Sequence, residues 1–177
     1  KRRIEKYTNA INDLLGWDAE MAMYRIVGNI RRLNREGVPP ESLKRAYLKG
    51  ADLKGADLSE TSVHQADLSD ADLQNADLSD AYLGSVDLSG ANLQKTNLSG
   101  AHFGVFAGVV AAEDGQETAL TGVNLRGADL RDIRNATAET FAEVRTLFKA
   151  RLDPELEAQI EAEYPDLLEP HADARRG

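Results

Sequence analysis

The chain has 177 residues, a formal net charge of −9 and no cysteine. This length allows one sizeable core, and the lack of cysteine excludes disulfides and thiolate metal sites. Residues 1–45 carry ten Lys or Arg against six Asp or Glu, and the rest carries eleven against twenty-four, so the acidic body is not expected to bind nucleic acid directly.

The N-terminal residues show two helical patterns. Gly16 is expected to end the first helix, Asp18 to cap the second, and Gly37 with the following prolines to end it. The apolar positions of the two helices are Ile4, Tyr7, Ile11, Leu14 and Leu15, and then Met23, Ile26, Val27, Ile30 and Leu33. We therefore predict that residues 1–40 form a helical segment and cap.

From Ala46 to Val105 the chain divides without a gap into twelve five-residue units, each with a small first residue and a large apolar third residue. The third residues are Leu48, Leu53, Leu58, Val63, Leu68, Leu73, Leu78, Leu83, Leu88, Leu93, Leu98 and Phe103. In a helix these residues would advance by about 140° per unit and form no stripe, and in a strand they would alternate between faces. A chain that turns by about a quarter circle per unit points all of them at one axis. The pattern predicts a square solenoid with a structural core of these residues.

The tandem motif A[DN]LxG, as in ADLKG from Ala51 to Gly55, resembles the pentapeptide-repeat family. The motif returns in TALTG, VNLRG and ADLRD, which add Leu120, Leu125 and Leu130 to the predicted core. The resemblance implies a mainly β fold, a right-handed quadrilateral β-helix of about four coils over residues 41–135, flanked by N- and C-terminal α-helices.

Residues twenty apart share a face of such a coil. The predicted faces are Tyr47, Asp67 and Asp87; Asp52, Asp72 and Asn92; Asp57, Asp77 and Asn97; and Ser62, Tyr82 and His102. Three faces are therefore predicted to be acidic ladders, whose carboxylates must be solvated or locally hydrogen-bonded.

The repeat is lost in FAGVVAAEDGQE, residues 106–117. One interpretation is a loop that leaves the solenoid and rejoins it, which costs little and often carries function. Its candidate partner-binding residues are Phe106, Val109, Val110, Glu113 and Asp114. The other interpretation is an irregular pair of units still packed on the coil.

The last segment, residues 136–177, is predicted to be a C-terminal helical cap and tail. Thr140 and Glu143 have capping-box spacing, and Asp153-Pro154 is expected to open a last helix. The apolar residues of these two helices are Phe141, Val144, Leu147 and Phe148, and then Leu156 and Ile160. Such ends cover an open solenoid. The resemblance adds dimerisation as an alternative role, so monomer and dimer both stay open.

The sequence predicts no catalytic, cofactor-binding or metal-binding residue. His64 and His102 would lie about two coil spacings apart, too far to share a metal, and they are interpreted as solvated. The outward serines lack a base, and the repeated carboxylates lack the contrasting environments of an acid/base pair. We therefore do not expect an enzyme.

These patterns favour a non-enzymatic scaffold or protein–protein interaction module with an unspecified protein partner, located in the cytoplasm. The resemblance implies an alternative, a DNA mimic that binds DNA gyrase. A third hypothesis is the soluble part of a membrane-anchored protein. The cations that would then face anionic lipid are Lys1, Arg2, Arg3, Arg25, Arg31, Arg32 and Arg35. No apolar run reaches the roughly 18 residues of a span, so membrane contact is expected only through a segment upstream of Lys1.

Overall fold

The computed structural model describes residues 1–17, 20–103 and 118–170. Two α-helices come first, a coiled region follows, and a third α-helix lies near the end of the described chain. The elements are α1 (Arg2–Asn12), α2 (Glu20–Arg35), a 3₁₀ turn (Ala138–Phe141), α3 (Pro154–Glu163) and a second 3₁₀ turn (Pro165–Leu168). In the described coiled region the β-structure consists of isolated parallel bridges, with one bridging residue per unit.

The bridges stack the units into a square coil. Tyr47 pairs with Asp67, and Asp67 pairs with Asp87, so one lap takes twenty residues. The four ladders of bridging residues are Ser42, Ser62, Tyr82, His102 and Arg134; Tyr47, Asp67, Asp87 and Ala119; Asp52, Asp72, Asn92, Asn124 and Thr146; and Asp57, Asp77, Asn97, Asp129 and Arg151. The predicted grouping of outward residues into four faces is therefore confirmed.

The third residue of every described unit from Leu48 to Leu130 lies inside the coil, at 5% exposure or less. Full burial of such a side chain contributes roughly 1.5 to 3 kcal/mol before conformational entropy is counted. The first residue is also buried in these units, except for the partly exposed Thr118, and the coil admits Thr there when its hydroxyl finds an acceptor. Thr61 Oγ1 donates to the Pro40 carbonyl and Thr96 Oγ1 to the Leu73 carbonyl, each at 2.7 Å. The narrow interior thus explains both apolar positions of the repeat.

In the units whose fifth residue the structure describes, that residue makes the corner, because its backbone adopts the left-handed conformation. Glycine adopts this conformation without strain, and Asp and Asn tolerate it better than most residues. Asp70 (φ 59°) and Asn75 (φ 56°) do so here. At Gly90 a Cβ would also lie 2.6 Å from Asp70 Oδ1 of the coil before. The left-handed backbone conformation and the space left by the neighbouring coil therefore both restrict which residues fit at the corners.

The N-terminal helices cover the first coil. The apolar side of α2 is buried, with Ile26, Ile30 and Leu33 fully enclosed. Asn34 fixes the end of α2, since its side chain donates to the Asp57 carbonyl and accepts from the Asp57 amide, both at 2.9 Å. The predicted cap residue at the start of α2, Asp18, lies outside the described residues. The helix pair thus supplies apolar cover and hydrogen bonds to an edge that would otherwise be open.

The helix predicted from Thr140 onward is wrong. Only one 3₁₀ turn forms there, and its capping box is Thr137 with Thr140. The chain then resumes the coil: Thr146 pairs with Asn124 and Arg151 with Asp129, and Leu147 is fully buried. The physical reason is that the last lap leaves backbone groups unpaired at its edge, whereas an isolated helix of this length is marginal in water.

The final helix begins where its sequence signal lies. Asp153 precedes α3 and Pro154 occupies its first turn, while Tyr164 follows its end. Leu156 (8% exposed) and Ile160 (0%) point into the core. Leu147 N donates to the Leu167 carbonyl at 2.8 Å, so the segment after α3 pairs with the edge of the last coil.

Candidate partner-binding face

The outward Asp and Asn residues build the turns of the solenoid. Asp77 Oδ1 accepts hydrogen bonds from Ser79 N at 2.9 Å and Ser79 Oγ at 2.6 Å. Asn97 makes the same pair of bonds with Ser99, at 3.1 and 2.8 Å. Asp and Asn share this Oδ1 acceptor, which is why they interchange at the second position of the unit. The predicted local hydrogen bonding of the carboxylates is therefore confirmed.

Two of the three predicted acidic ladders carry compensating cations. Asp52 pairs with Arg31 at 2.8 Å, and Asp72 pairs with Lys54 at 2.9 Å. On another face Asp129 lies 2.7 Å from Arg131 and 3.2 Å from Arg151. The hydrogen bond from Arg131 is the main reason that the pKa of Asp129 is lowered. These faces are consequently less negative than the sequence alone indicates.

The face formed by Ser62, Tyr82, His102 and Arg134 differs from the other three, because these bridging residues include no carboxylate. The rings of Tyr82 and His102 are stacked, with centroids 4.9 Å apart and planes inclined by 13°. Tyr82 is 41% exposed, whereas His102 is only 5% exposed. This face therefore presents an aromatic ring in the middle of the rod.

The interpretation of His102 as a solvated residue is wrong. It lies between Tyr82 and Arg134 on the ladder, and the Tyr82 ring covers one of its faces. Burial lowers the pKa of His102, and the positive charge of Arg134 lowers that pKa further. His64 is partly exposed, and His171 lies outside the described residues.

The ladder changes its sequence step next to this face. Each bridge whose two residues both precede Phe103 joins positions twenty apart. Bridges that cross the interruption join positions thirty-two apart, as in Asp87 with Ala119 and His102 with Arg134. The lap thus gains twelve residues, which is the length of the predicted interruption 106–117. Coil structure resumes at Thr118. Its Oγ1 lies 2.5 Å from the Leu83 carbonyl oxygen and 2.9 Å from that of Phe103.

The five candidate partner-binding residues at positions 106, 109, 110, 113 and 114 lie outside the described residues. The structure does place the two flanks of their segment together, at the corner after the Tyr82–His102 face. The sequence pattern places Tyr82 and His102 on one face but indicates neither the stacking of their rings nor the role of Thr118. The available signal was the aromatic pair twenty residues apart at the outward position of the unit.

Among residues 1–17, 20–103 and 118–170, no group of three His, Asp or Glu side chains is arranged to hold a metal ion. None of the described helices is both long enough and apolar enough to span a bilayer.

A lap of twenty residues, leucines inside and Asx turns along three of the four sides define a solenoid protein of the quadrilateral β-helix class. Residues 42–75 and 66–104 match the family model of pentapeptide repeats, with eight copies. Residues 42–104 are therefore pentapeptide repeats. No curated protein sequence matches the chain significantly.

Solved structures of pentapeptide repeat proteins are similar to this chain. A pentapeptide repeat protein from the Arabidopsis thaliana thylakoid lumen is 31% identical, with a TM-score of 0.48; the match covers 59% of this chain and 66% of the other, just under two thirds. One from Nostoc is 25% identical, with a TM-score of 0.47, and the match covers 72% and 95% of the two chains.

QnrB1, a plasmid-mediated fluoroquinolone resistance protein, is 16% identical, with a TM-score of 0.43, over 73% of this chain and 65% of the other. All three TM-scores are below 0.5. The assignment of residues 42–104 to pentapeptide repeats therefore rests on the match of their sequence to the family model.

Proposed function

We propose that this chain is a non-enzymatic protein-interaction module whose right-handed solenoid holds residues 106–117 and the Tyr82–His102 face toward a cytoplasmic protein partner. The observation that carries the proposal is the change of ladder step from twenty to thirty-two without loss of pairing. The coil needs none of the twelve added residues for its register.

The neighbourhood of the insertion has the features of a binding surface. Tyr82 exposes a large ring beside the corner where the chain leaves the coil, and exposed tyrosines are frequent energetic centres of interfaces. The Asx turns hold the surrounding backbone at fixed spacing, so the surface is preorganised and loses little entropy on binding. In this proposal residues 1–40 cover one end of the rod, and α3 with the segment after it covers the other, since the coil continues to Arg151.

The test compares capture of partners by the parent chain, by a variant lacking residues 106–117 and by Tyr82→Ala. Tyr24→Ala is the matched control, because Tyr24 is 59% exposed on α2. Each protein is immobilised, captured proteins are quantified by mass spectrometry, and the strongest is repurified for calorimetry. Loss of that partner with the deletion and with Tyr82→Ala, but not with Tyr24→Ala, is expected. A partner held equally by all four proteins contradicts the proposal.

A second candidate function is mimicry of DNA toward DNA gyrase, and the observation in its favour is the ladder of Asp67 and Asp87, which no basic residue of the described chain pairs. These carboxylates repeat at the coil spacing of about 4.8 Å. The pairing of Asp52, Asp72 and Asp129 with cations weakens the case.

Substitution by asparagine tests mimicry, because it removes charge and keeps the turn acceptor. Purified gyrase is assayed for supercoiling, with and without a quinolone, at rising concentrations of the parent and of the double variant Asp67→Asn/Asp87→Asn. Mimicry predicts an effect of the parent that the variant loses. No effect of the parent at micromolar concentration removes this candidate.

A further inference from the structure

The outward side of α2 combines positive charge with exposed apolar side chains. Between Met21 and Arg35 the chain has four arginines and no Asp or Glu. The inward side of the helix is taken up by the cap core, including Ile26 and Ile30. The outward side carries Met21, Tyr24, Arg25, Arg31, Arg32 and Arg35, all exposed, with one carboxylate, that of Glu20, at the start of the helix, which accepts a hydrogen bond from the Tyr24 hydroxyl at 3.1 Å. Together with Trp17 these residues form the basic-aromatic face.

The apolar part of the basic-aromatic face is concentrated at the start of α2. Met21 is 72% exposed, Trp17 62% and Tyr24 59%. They account for three of the four exposed large hydrophobic residues in the described ranges, the fourth being Tyr82. Met21 and Tyr24, three residues apart, lie on one side of α2, and Trp17 precedes the helix. An ordinary solvated helix face carries polar residues at such positions.

Two arginines of this face are uncommitted. Arg31 pairs with Asp52 at 2.8 Å, and Arg32 lies 5.9 Å from the centre of the Tyr7 ring. In the ranges 1–17, 20–103 and 118–170, Arg25 and Arg35 have no acidic partner. Arg31 and Arg35 also line a groove of about 300 Å³ between α2 and the first coil. The face can therefore accept negative charge from outside.

The rest of the chain has the opposite character. Residues 46–177 carry eleven Lys or Arg and twenty-four Asp or Glu, so positive charge is concentrated at the N-terminal end of the rod. Trp and Tyr favour the headgroup level of a bilayer. Lys and Arg beside them are attracted by anionic lipid. A polyphosphate such as DNA would satisfy the arginines but would leave Met21 in water.

We propose that the basic-aromatic face docks the protein on an anionic phospholipid bilayer, with the acidic solenoid directed away from the surface. Charge complementarity and the exposed Trp17, Met21 and Tyr24 select this occupant. The docking uses residues of the N-terminal cap, in contrast to the sequence-based expectation that membrane contact needs a segment upstream of Lys1. It is independent of the surface proposed at residues 106–117.

The test is flotation of the full chain with vesicles of phosphatidylcholine, with and without phosphatidylglycerol. Arg25→Glu/Arg35→Glu removes the uncommitted cations. The matched control is Lys95→Glu/Lys149→Glu, which changes the net charge equally at two exposed sites outside the N-terminal cap. Trp17 is the chain's single tryptophan, so its fluorescence reports directly on the face. Circular dichroism melting checks that all variants fold.

Binding to the anionic vesicles and a blue shift of Trp17 emission are expected, together with weaker binding as salt rises. Since each cation near an anionic surface strengthens binding about fivefold, Arg25→Glu/Arg35→Glu should weaken it by at least about 20-fold. The control variant should bind nearly as the parent does. Failure to bind anionic vesicles, equal loss in both double variants, or binding to duplex DNA in place of vesicles each overturns the proposal.

Discussion

Thr118 Oγ1 lies 2.9 Å from the carbonyl oxygen of Phe103, although fourteen residues separate the two in the chain. The same hydroxyl is 2.5 Å from the carbonyl oxygen of Leu83, one coil earlier. A single side chain thus joins both flanks of the interruption and ties them to the preceding lap. Because this contact closes the coil, the solenoid can be continuous in space while its sequence is interrupted.

Deletion of residues 106–117 should therefore leave a folded protein. It joins Val105 to Thr118, so AHFGV runs directly into TALTG and the step of twenty is restored. Loop closure changes slowly with length, and the free energy of unfolding should stay within about 1 kcal/mol of the parent value. Urea denaturation measures it. A deletion variant that is unfolded in buffer would contradict the register described above.

Leu78 should be among the least replaceable residues, because it lies at the centre of the coil and is fully buried. Leu78→Ala removes apolar contacts and leaves a cavity, which should lower the free energy of unfolding by about 2 to 5 kcal/mol. Met21→Ala, at an exposed position, is the control and should change it by less than about 0.5 kcal/mol. Equal losses in urea denaturation would show that the interior is not the main source of stability.

Asp77 separates the turn role of the outward residues from their charge. Its Oδ1 accepts from the backbone and the hydroxyl of Ser79, and an asparagine side chain at the same position would offer an equivalent oxygen. Asp77→Asn should therefore cost less than about 1 kcal/mol, whereas Asp77→Ala should cost about 1 to 2 kcal/mol through the lost acceptor. Thermal melts of both variants measure the difference. If Asp77→Asn is as damaging as Asp77→Ala, the carboxylate charge matters more than the turn.

His102 should make stability depend on pH. Its pKa is lowered from the ordinary 6.5, first by burial and then by Arg134. The unfolded chain therefore binds this proton more readily, so stability is lost as the pH falls below about 6.5 toward the lower folded pKa. His102→Asn introduces a residue type that already serves as the outward bridging residue at Asn92 and Asn97, and it should flatten this part of the profile.

The measurement is urea denaturation between pH 8 and pH 5, together with NMR titration of the His102 ring. Tyr82→Ala uncovers one face of the ring and should bring the pKa of His102 back toward 6.5. A His102 pKa above 6.5 in the parent, or no shift with Tyr82→Ala, would rule out burial as the cause.

The square coil could be predicted because its rule is local. A large apolar residue such as Leu68 at every fifth position, a small residue two places before it, and turn formers at the corners leave one regular conformation that satisfies all of them. The same rule located the interruption, since residues 106–117 break it. It did not indicate partners for the outward positions, because Asp52 with Arg31 and Asp129 with Arg151 are contacts between elements.

The segment after Thr137 shows why other parts of the fold could not be predicted from the sequence. Thr140, Phe141, Val144 and Leu147 carry a fair helical pattern, and nothing in their own sequence favours the coil. The edge left by Asn124 and Asp129 decides the outcome, because parallel pairing with Thr146 and Arg151 satisfies backbone groups that a helix there would leave open.

The sequence by itself determined the twenty-residue lap, the leucine interior, the four outward faces and the place of the interruption, since packing in so narrow a coil depends on residues within a few positions of one another. Only the tertiary structure decided that His102 is buried under Tyr82 and that Thr118 closes the coil. It also decided that Arg31 of α2 pairs with Asp52. Those outcomes depend on neighbours fifteen or more residues away, whose identities the five-residue rule does not specify.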